Sequence, residues 1–269
     1  MVNAIATKKG STLGIALKTT VILEVQEGEG LSITSENKTI SSRLITKTVQ
    51  RAVLRNKLDN NHIHLDIKSN IPTGYGLKSS SSISSAVSMA CHKAFDKKTT
   101  DEKILNDGVL ASKDAKVSIT GGFDDACGCY YGGFVATDNA RMITTKREKC
   151  KNDFAVILIP KTRRKNPKKL VQVRPALRQA WSLANKGDWY NAMILNGLAV
   201  SGILGVESNI ITELLQAGAL GASISGNGPS VAAISKKSSI PKIKKIFQRY
   251  EGRILVSALN NTKARAYEL

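Results

Sequence analysis

The stretch Ile71-Pro72-Thr73-Gly74-Tyr75-Gly76-Leu77-Lys78, followed at once by Ser79, Ser80, Ser81 and Ser82, is the part of this chain best equipped for chemistry. Behind it, Ile83, Ala86, Val87, Ala90, Cys91, Ala94 and Phe95 recur at intervals of three and four, the stripe of an amphipathic helix. The first turn of a helix offers unpaired N–H groups and partial positive charge, so anions settle there. Gly74 and Gly76 let the backbone come close to a phosphate. Lys78 adds a cation, and the serines add hydroxyl donors and possible Mg²⁺ ligands. Pro72–Ser82 therefore reads as a nucleoside-triphosphate site, with a glycine turn and serine cap as the plain alternative. It is no Walker A loop, because Leu77 and not glycine precedes Lys78. The dinucleotide fingerprint and the protein-kinase signature set are also absent. Two further stretches are rich in glycine: Gly121-Gly122-Phe123-Asp124-Asp125, by itself a polar turn, and Ser225-Gly226-Asn227-Gly228-Pro229-Ser230.

The elements around these stretches follow from periodicity. Ile15, Leu17, Thr19, Val21 and Leu23 alternate as one strand, and Ile63, Leu65 and Ile67 as another. Between them, residues 43–57 carry helical spacing. Residues 133–137 and 154–159 read as strands, with the polar stretch Thr144–Asp153 between them holding a domain boundary near residue 145. Beyond it come helices over 168–185, 188–203 and 209–218, a strand at 221–225, the second glycine loop, a strand at 231–234, a helix over 241–250 and two closing strands. Mixed strands and helices in both halves predict a two-domain α+β protein.

Composition excludes several classes. No run reaches the 18 apolar residues of a transmembrane helix. The first residues show no signal peptide. Cys91, Cys127, Cys129 and Cys150 make neither a disulfide framework nor a zinc pattern, so a cytoplasmic protein with free thiols is expected. His62, His64 and His92 are scattered and read as structural. The net charge of +19 is lopsided: residues 1–140 hold 17 basic and 14 acidic side chains, residues 141–269 hold 23 and 7. Such a field suits an anionic partner. A nucleic-acid-binding protein, suggested by Lys161–Lys169 and Lys236–Arg249, lacks the aromatic platforms that stack bases, since aromatics are only 5%.

Pro72-x-Gly74-x-Gly76-Leu77-x-Ser79-Ser80 resembles the second motif of the GHMP kinases, the superfamily of galactokinase, homoserine kinase and mevalonate kinase. Ser225–Ser230 resembles its third. Val2-Asn3-Ala4-Ile5-Ala6-Thr7, Gly14-Ile15-Ala16-Leu17-Lys18-Thr19, Lys78 where other branches carry glycine, Gly121–Cys127, and Thr137-Asp138-Asn139 are similar to the archaeal shikimate kinases in particular. The likeness covers essentially the whole chain. It departs in the short segment before Val2-Asn3, in Ser82-Ile83 for small alanines, and in Asp114 for glutamate.

The resemblance implies a two-domain GHMP kinase fold, with an N-terminal ATP-binding α/β domain over 1–145 and a C-terminal ferredoxin-like α+β domain over 146–269. It implies ATP and Mg²⁺, with phosphoryl transfer to the 3-hydroxyl of shikimate; another small-molecule kinase such as a homoserine kinase is the alternative. Asp124 then takes the place of the catalytic aspartate, assisted by Lys78, while Asp125 points elsewhere. Ser80 and Asp114 become the metal ligands, although Asp114 also reads as a solvated helix residue between Lys113 and Lys116. Gly226, Asn227 and Gly228 join Pro72, Thr73, Gly74, Tyr75, Gly76, Leu77, Lys78 and Ser79–Ser82 around the nucleotide. A carboxylate substrate calls for a cationic clamp, and Arg163, Arg164, Arg174 and Arg178 are the candidates.

Overall fold

The structure is a computed structural model that describes residues 1–36, 39–162 and 166–269. Its first half contains two three-stranded sheets. Strands β1 (Lys9–Leu13), β2 (Thr19–Glu27), β3 (Gly30–Ser35), β4 (Asn61–Ser69), β5 (Phe134–Asp138) and β6 (Ile143–Glu148) pair in the orders β1-β5-β6 and β2-β4-β3. Helices α1 (Ser42–Ala52), α2 (Arg55–Leu58), α3 (Ser79–Phe95), α4 (Asp101–Asp114) and α5 (Phe123–Tyr131) complete it. Ile63, Leu65 and Ile67 of β4 face inward onto Ile45 and Val49 of α1 and Ile83 and Val87 of α3. That packing holds α3 at a fixed height, so that its first turn meets the loop leaving β4.

In the second half β7 (Phe154–Pro160), β8 (Ala219–Ile224), β9 (Val231–Ser235) and β10 (Gly252–Ala258) form one antiparallel sheet in the order β10-β7-β9-β8. Helices α6 (Arg174–Lys186), α7 (Trp189–Leu204), α8 (Asn209–Gln216) and α9 (Ile240–Phe247) supply one face of its core, with Leu177, Val200, Ile211, Leu214 and Phe247 packed on Val156 and Leu158. Strand order 4-1-3-2 is the split βαβ arrangement of the ferredoxin-like fold, with α6–α8 in the place of its first helix. The opposite face of this sheet, through Ala155, Ile157, Ile234 and Leu255, packs on Ile71 and Leu77 at the two ends of the first glycine loop. The two halves are therefore pinned together beside that loop.

Several elements differ from the sequence-based expectation. The single strand predicted over Ile15–Leu23 starts only at Thr19: Val21 and Leu23 join the α3 core, whereas Ile15 and Leu17 pack in the cluster between the halves. Alternation there runs across two different cores. Residue 145 falls within β6, which pairs with β5 and not with the second half. The helix predicted from 168 begins as a 3₁₀ turn, Pro167–Val173, before α6, with Pro175 in its first turn. Of the two closing strands only β10 forms, and the chain after Asn260 runs without secondary structure.

Candidate active site

Helix α3 begins without a side-chain cap, at Lys78 with φ 69° and ψ 24°. A left-handed backbone favours glycine, and holding lysine there costs about 1–2 kcal/mol. The strain places an ammonium at a helix start where a glycine would leave nothing. The second glycine loop closes over the first. Ser225 Oγ donates to the Gly76 carbonyl oxygen at 2.9 Å. Gly76 has φ 78°, and a Cβ there would run into the Ser225 carbonyl oxygen. A Cβ on Gly226 would sit 2.8 Å from Lys78 Nζ. Asn3 ties the chain's first residues to the same place, its Nδ2 donating to the Gly226 carbonyl oxygen at 2.9 Å and to Asn227 Oδ1 at 2.8 Å. Asn196 Oδ1 in turn accepts from the Asn3 N–H at 2.9 Å. Asn3 and Asn227, 224 positions apart, thus frame one opening.

That opening is a cleft of about 920 Å³. The head of α3, the segment Val117–Thr120, the turn at Asn3–Ile5 and the loop at Gly226-Asn227 form its walls, and Asp124 and Asp125 lie among them. Gly121 and Gly122, at φ 82° and 67°, turn the chain into α5, whose first turn carries both carboxylates. An uncapped helix start favours negative charge, so the local backbone supports them. Asp124 is buried at 4% exposure. Asn139 Nδ2 donates to its Oδ1 at 2.6 Å. Burial first, and the Asp125 carboxylate second, push the Asp124 carboxyl up to about 6, against the pull of Lys78 and Asn139. Asp125 forms an ion pair with Lys78 Nζ, and Thr12 Oγ1 donates to its Oδ1 at 3.4 Å. Burial works to lower the Lys78 ammonium, but Asp125 and Asp124 outweigh it and hold the group above the ordinary lysine value. A permanent cation, a carboxylate near neutrality and a row of helix N–H and serine hydroxyl donors share one cleft. Such a set can neutralise phosphate charge and accept a proton from an alcohol.

Residues 43–133 match the family model of the GHMP kinases N terminal domain, and residues 208–252 that of the GHMP kinases C terminal. A shikimate kinase from Methanosarcina mazei is 35% identical over 277 residues, covering 99% of this chain and 93% of the relative. This chain belongs to the GHMP kinase family. A shikimate kinase from Pyrococcus furiosus is 34% identical over 262 residues, covering 96% of this chain and 95% of the relative. Among solved structures, homoserine kinase from Cytophaga hutchinsonii shares the fold at a TM-score of 0.72 and 21% identity, with 95% of this chain and 96% of that one covered.

In this GHMP kinase Gly74, Gly76, Leu77, Lys78, Ser79, Ser80, Ser81, Gly226, Asn227 and Asp124 all line the cleft. Pro72, Thr73, Tyr75, Ser82 and Gly228 belong to the same loops but are not among the residues that line the cleft. Thr73 Oγ1 and Ser79 Oγ lie 3.3 Å apart, Ser82 Oγ donates to Thr19 Oγ1 at 2.9 Å, and Tyr75 packs beside Leu77 in the cluster between the halves. Asp114 stands apart from the cleft lining. It closes α4, is 37% exposed, and accepts from Arg51 Nε at 2.6 Å, which holds its carboxyl below the usual range. Asp125 does not point elsewhere, as adjacency to Asp124 suggested; it faces Lys78 across the cleft. Arg174 and Arg178 lie exposed on α6 and do not line the cleft, and Arg163 and Arg164 fall outside the described residues. His62 and His64 are not scattered: they share Ser32 Oγ, at 3.0 and 2.8 Å. Sequence periodicity gave no sign of Asn3, Thr12 or Asn139 as site residues. Each is brought in by strand pairing or a turn, at long sequence distance.

Proposed function

We propose that this GHMP kinase is a shikimate kinase, transferring the γ-phosphoryl group of ATP to the 3-hydroxyl of shikimate to give shikimate 3-phosphate and ADP. The observation that carries the proposal is the convergence of Lys78, the head of α3 and the near-neutral Asp124 in one cleft. Full-length similarity to archaeal shikimate kinases supports the choice of acceptor. The ATP-binding domain, proposed over 1–145 with β6 completing its sheet as far as Glu148, carries the Pro72–Ser82 loop and Asp124. The domain 146–269 closes over it with Gly226, Asn227 and Gly228. The substrate oxygen bonds to the γ-phosphorus as the bond to the β-phosphate oxygen breaks. Asp124 takes the hydroxyl proton, and Lys78 with the α3 N–H groups stabilises the charge on the phosphoryl oxygens. Phosphorus NMR of the product should show a monoester signal coupled to the proton on carbon 3. Coupling to another ring proton, or loss of ATP without an ester signal, would count against the assignment.

The donor set of the cleft is made of hard oxygens, which fits Mg²⁺. Ser80 and Asp114 are the proposed protein ligands, and the cation would neutralise charge on the β- and γ-phosphates. Asp114 must exchange Arg51 for the cation, and a solvent-exposed ion pair of this kind is worth under about 1 kcal/mol. Its carboxyl, kept ionised by Arg51, is ready as an anionic ligand. Asp114→Asn is expected to raise the Mg²⁺ concentration for half-maximal turnover about tenfold, a difference of about 1.4 kcal/mol in binding. An unchanged requirement, measured by titrating Mg²⁺ at fixed ATP, would assign Asp114 to its pair with Arg51 alone. A cytoplasmic location accords with four free cysteines. Among the described residues no helix is long and apolar enough to cross a membrane.

A further inference from the structure

Asp124 is gripped on one side only. Asn139, just beyond the end of β5, is buried at 4% exposure. Its backbone N–H donates to the Lys8 carbonyl oxygen at 2.7 Å, which anchors the residue to the turn before β1. Its side-chain Oδ1 accepts twice, from the Asp124 N–H at 3.1 Å and from Thr137 Oγ1 at 2.6 Å. Those two donors fix the amide orientation, because turning it over would set an NH₂ group against an N–H. Nδ2 is thereby left to donate to Asp124 Oδ1 at 2.6 Å. On the other side the carboxylate rests on Gly10, where a Cβ would collide with Oδ2. No described residue donates a hydrogen bond to Oδ2.

We propose that Asn139 is a positioning residue for phosphoryl transfer, locking Asp124 so that Oδ1 is occupied and Oδ2 alone is left to receive the substrate's proton. The proposal rests on the assignment of Asp124 as proton acceptor. An amide suits the task where a charged group would not. It donates a short hydrogen bond to the carboxylate without neutralising it, as a lysine would, or repelling it, as a second carboxylate would. Thr137 acts one step further out by holding the amide. Gly10 keeps Oδ2 clear.

A positioning role of this kind changes the pH profile as well as the rate. Hydrogen bonding to the charged form favours it, so removing the Nδ2 donor must raise the Asp124 pKa. Asn139→Ala is expected to lower kcat about tenfold or more, leave KM for ATP and acceptor within about threefold, and move the acidic limb of kcat upward by about one pH unit. Thr137→Val, nearly the same shape without the hydroxyl, should move the limb in the same direction by less. The limb staying in place would overturn the proposal even if kcat falls, since a merely structural contact lowers rate without retuning Asp124. Should Asn139→Ala fail to fold by circular dichroism, the limb in Thr137→Val decides by itself. Near-normal turnover in Asp124→Asn is a different result: it would mean that the assignment of Asp124 has failed, and the proposal with it.

Discussion

Asp124→Asn is expected to lower kcat by about 10²–10⁴-fold, the usual contribution of a positioned acid–base group, while ATP affinity changes less than about threefold. The asymmetry follows from where the side chain sits. In the proposed site the nucleotide phosphates would meet Lys78 and the head of α3, whereas Asp124 lies against β1 and β5, tied to Asn139 and resting on Gly10. Asparagine keeps the size and can still meet Asn139 through its oxygen, so the fold should survive. The pH profile adds a second signature. Asp124 must be ionised to take a proton, and burial together with Asp125 raises its pKa to about 6. In the native enzyme turnover should therefore fall about tenfold per unit below pH 6, and the residual activity of the variant should lose that limb. Fluorescence titration with a nucleotide analogue, alongside steady-state rates from pH 5 to 8, separates the two effects. Equal losses in binding and rate would contradict the role.

Gly76→Ala is the second large effect. The residue sits at φ 78°, and its Cα faces the Ser225 carbonyl oxygen with no room for a methyl group. A left-handed non-glycine residue costs about 1–3 kcal/mol before any collision is counted. The obstacle is backbone, which cannot swing aside as a side chain can. The cheapest escape is to part the two glycine loops, breaking the hydrogen bond from Ser225 Oγ to the Gly76 carbonyl oxygen. ATP affinity should then drop by about 10–100-fold as the loop leaves α3. Gly74→Ala makes the comparison: φ is 88° there, yet a Cβ would meet nothing within 4 Å. It should show the strain without the separation of loops, and hence a smaller loss. Similar losses in both would mean that loop closure does not shape the nucleotide site.

Much of the architecture is legible in the residues. The stripe from Ile83 to Phe95 announces α3, the alternation of Ile63, Leu65 and Ile67 announces β4, and the glycines between them announce a loop that regular structure cannot cross. The site is less legible, for identifiable reasons. Helix α5 has only nine residues, with two acids in its first turn and a glycine capping each end, so Phe123–Tyr131 offers too little periodicity to be told from a turn. Strand β6 is short and, apart from Ile143, polar on both sides, and it reads as a linker until β5 pairs with it. Asp114 shows what spacing alone leaves out: ten residues before Asp124 it fits a pattern, but its partner in the structure is Arg51, 63 positions away, a pair that must open before the carboxylate can serve a cation. Asn139 lies in a Thr-Asp-Asn run that the family resemblance marks without giving it a role, and the pairing of β1 with β5 carries it to Asp124. The excess of basic residues in the second half is scattered over α6, α9 and their approaches, where Lys242, Lys244 and Lys245 are exposed. Nothing in the cleft calls for them.

Substrate choice can be measured in one experiment. An ADP-coupled assay of the wild-type chain with shikimate, homoserine, mevalonate and galactose, each at equal concentration with saturating ATP and Mg²⁺, tests it directly. Turnover on shikimate should exceed that on the others by at least about two orders of magnitude, and should be lost in Asp124→Asn. Turnover on homoserine, mevalonate or galactose in preference to shikimate would contradict the proposed function, while leaving the fold and the phosphate loop as described.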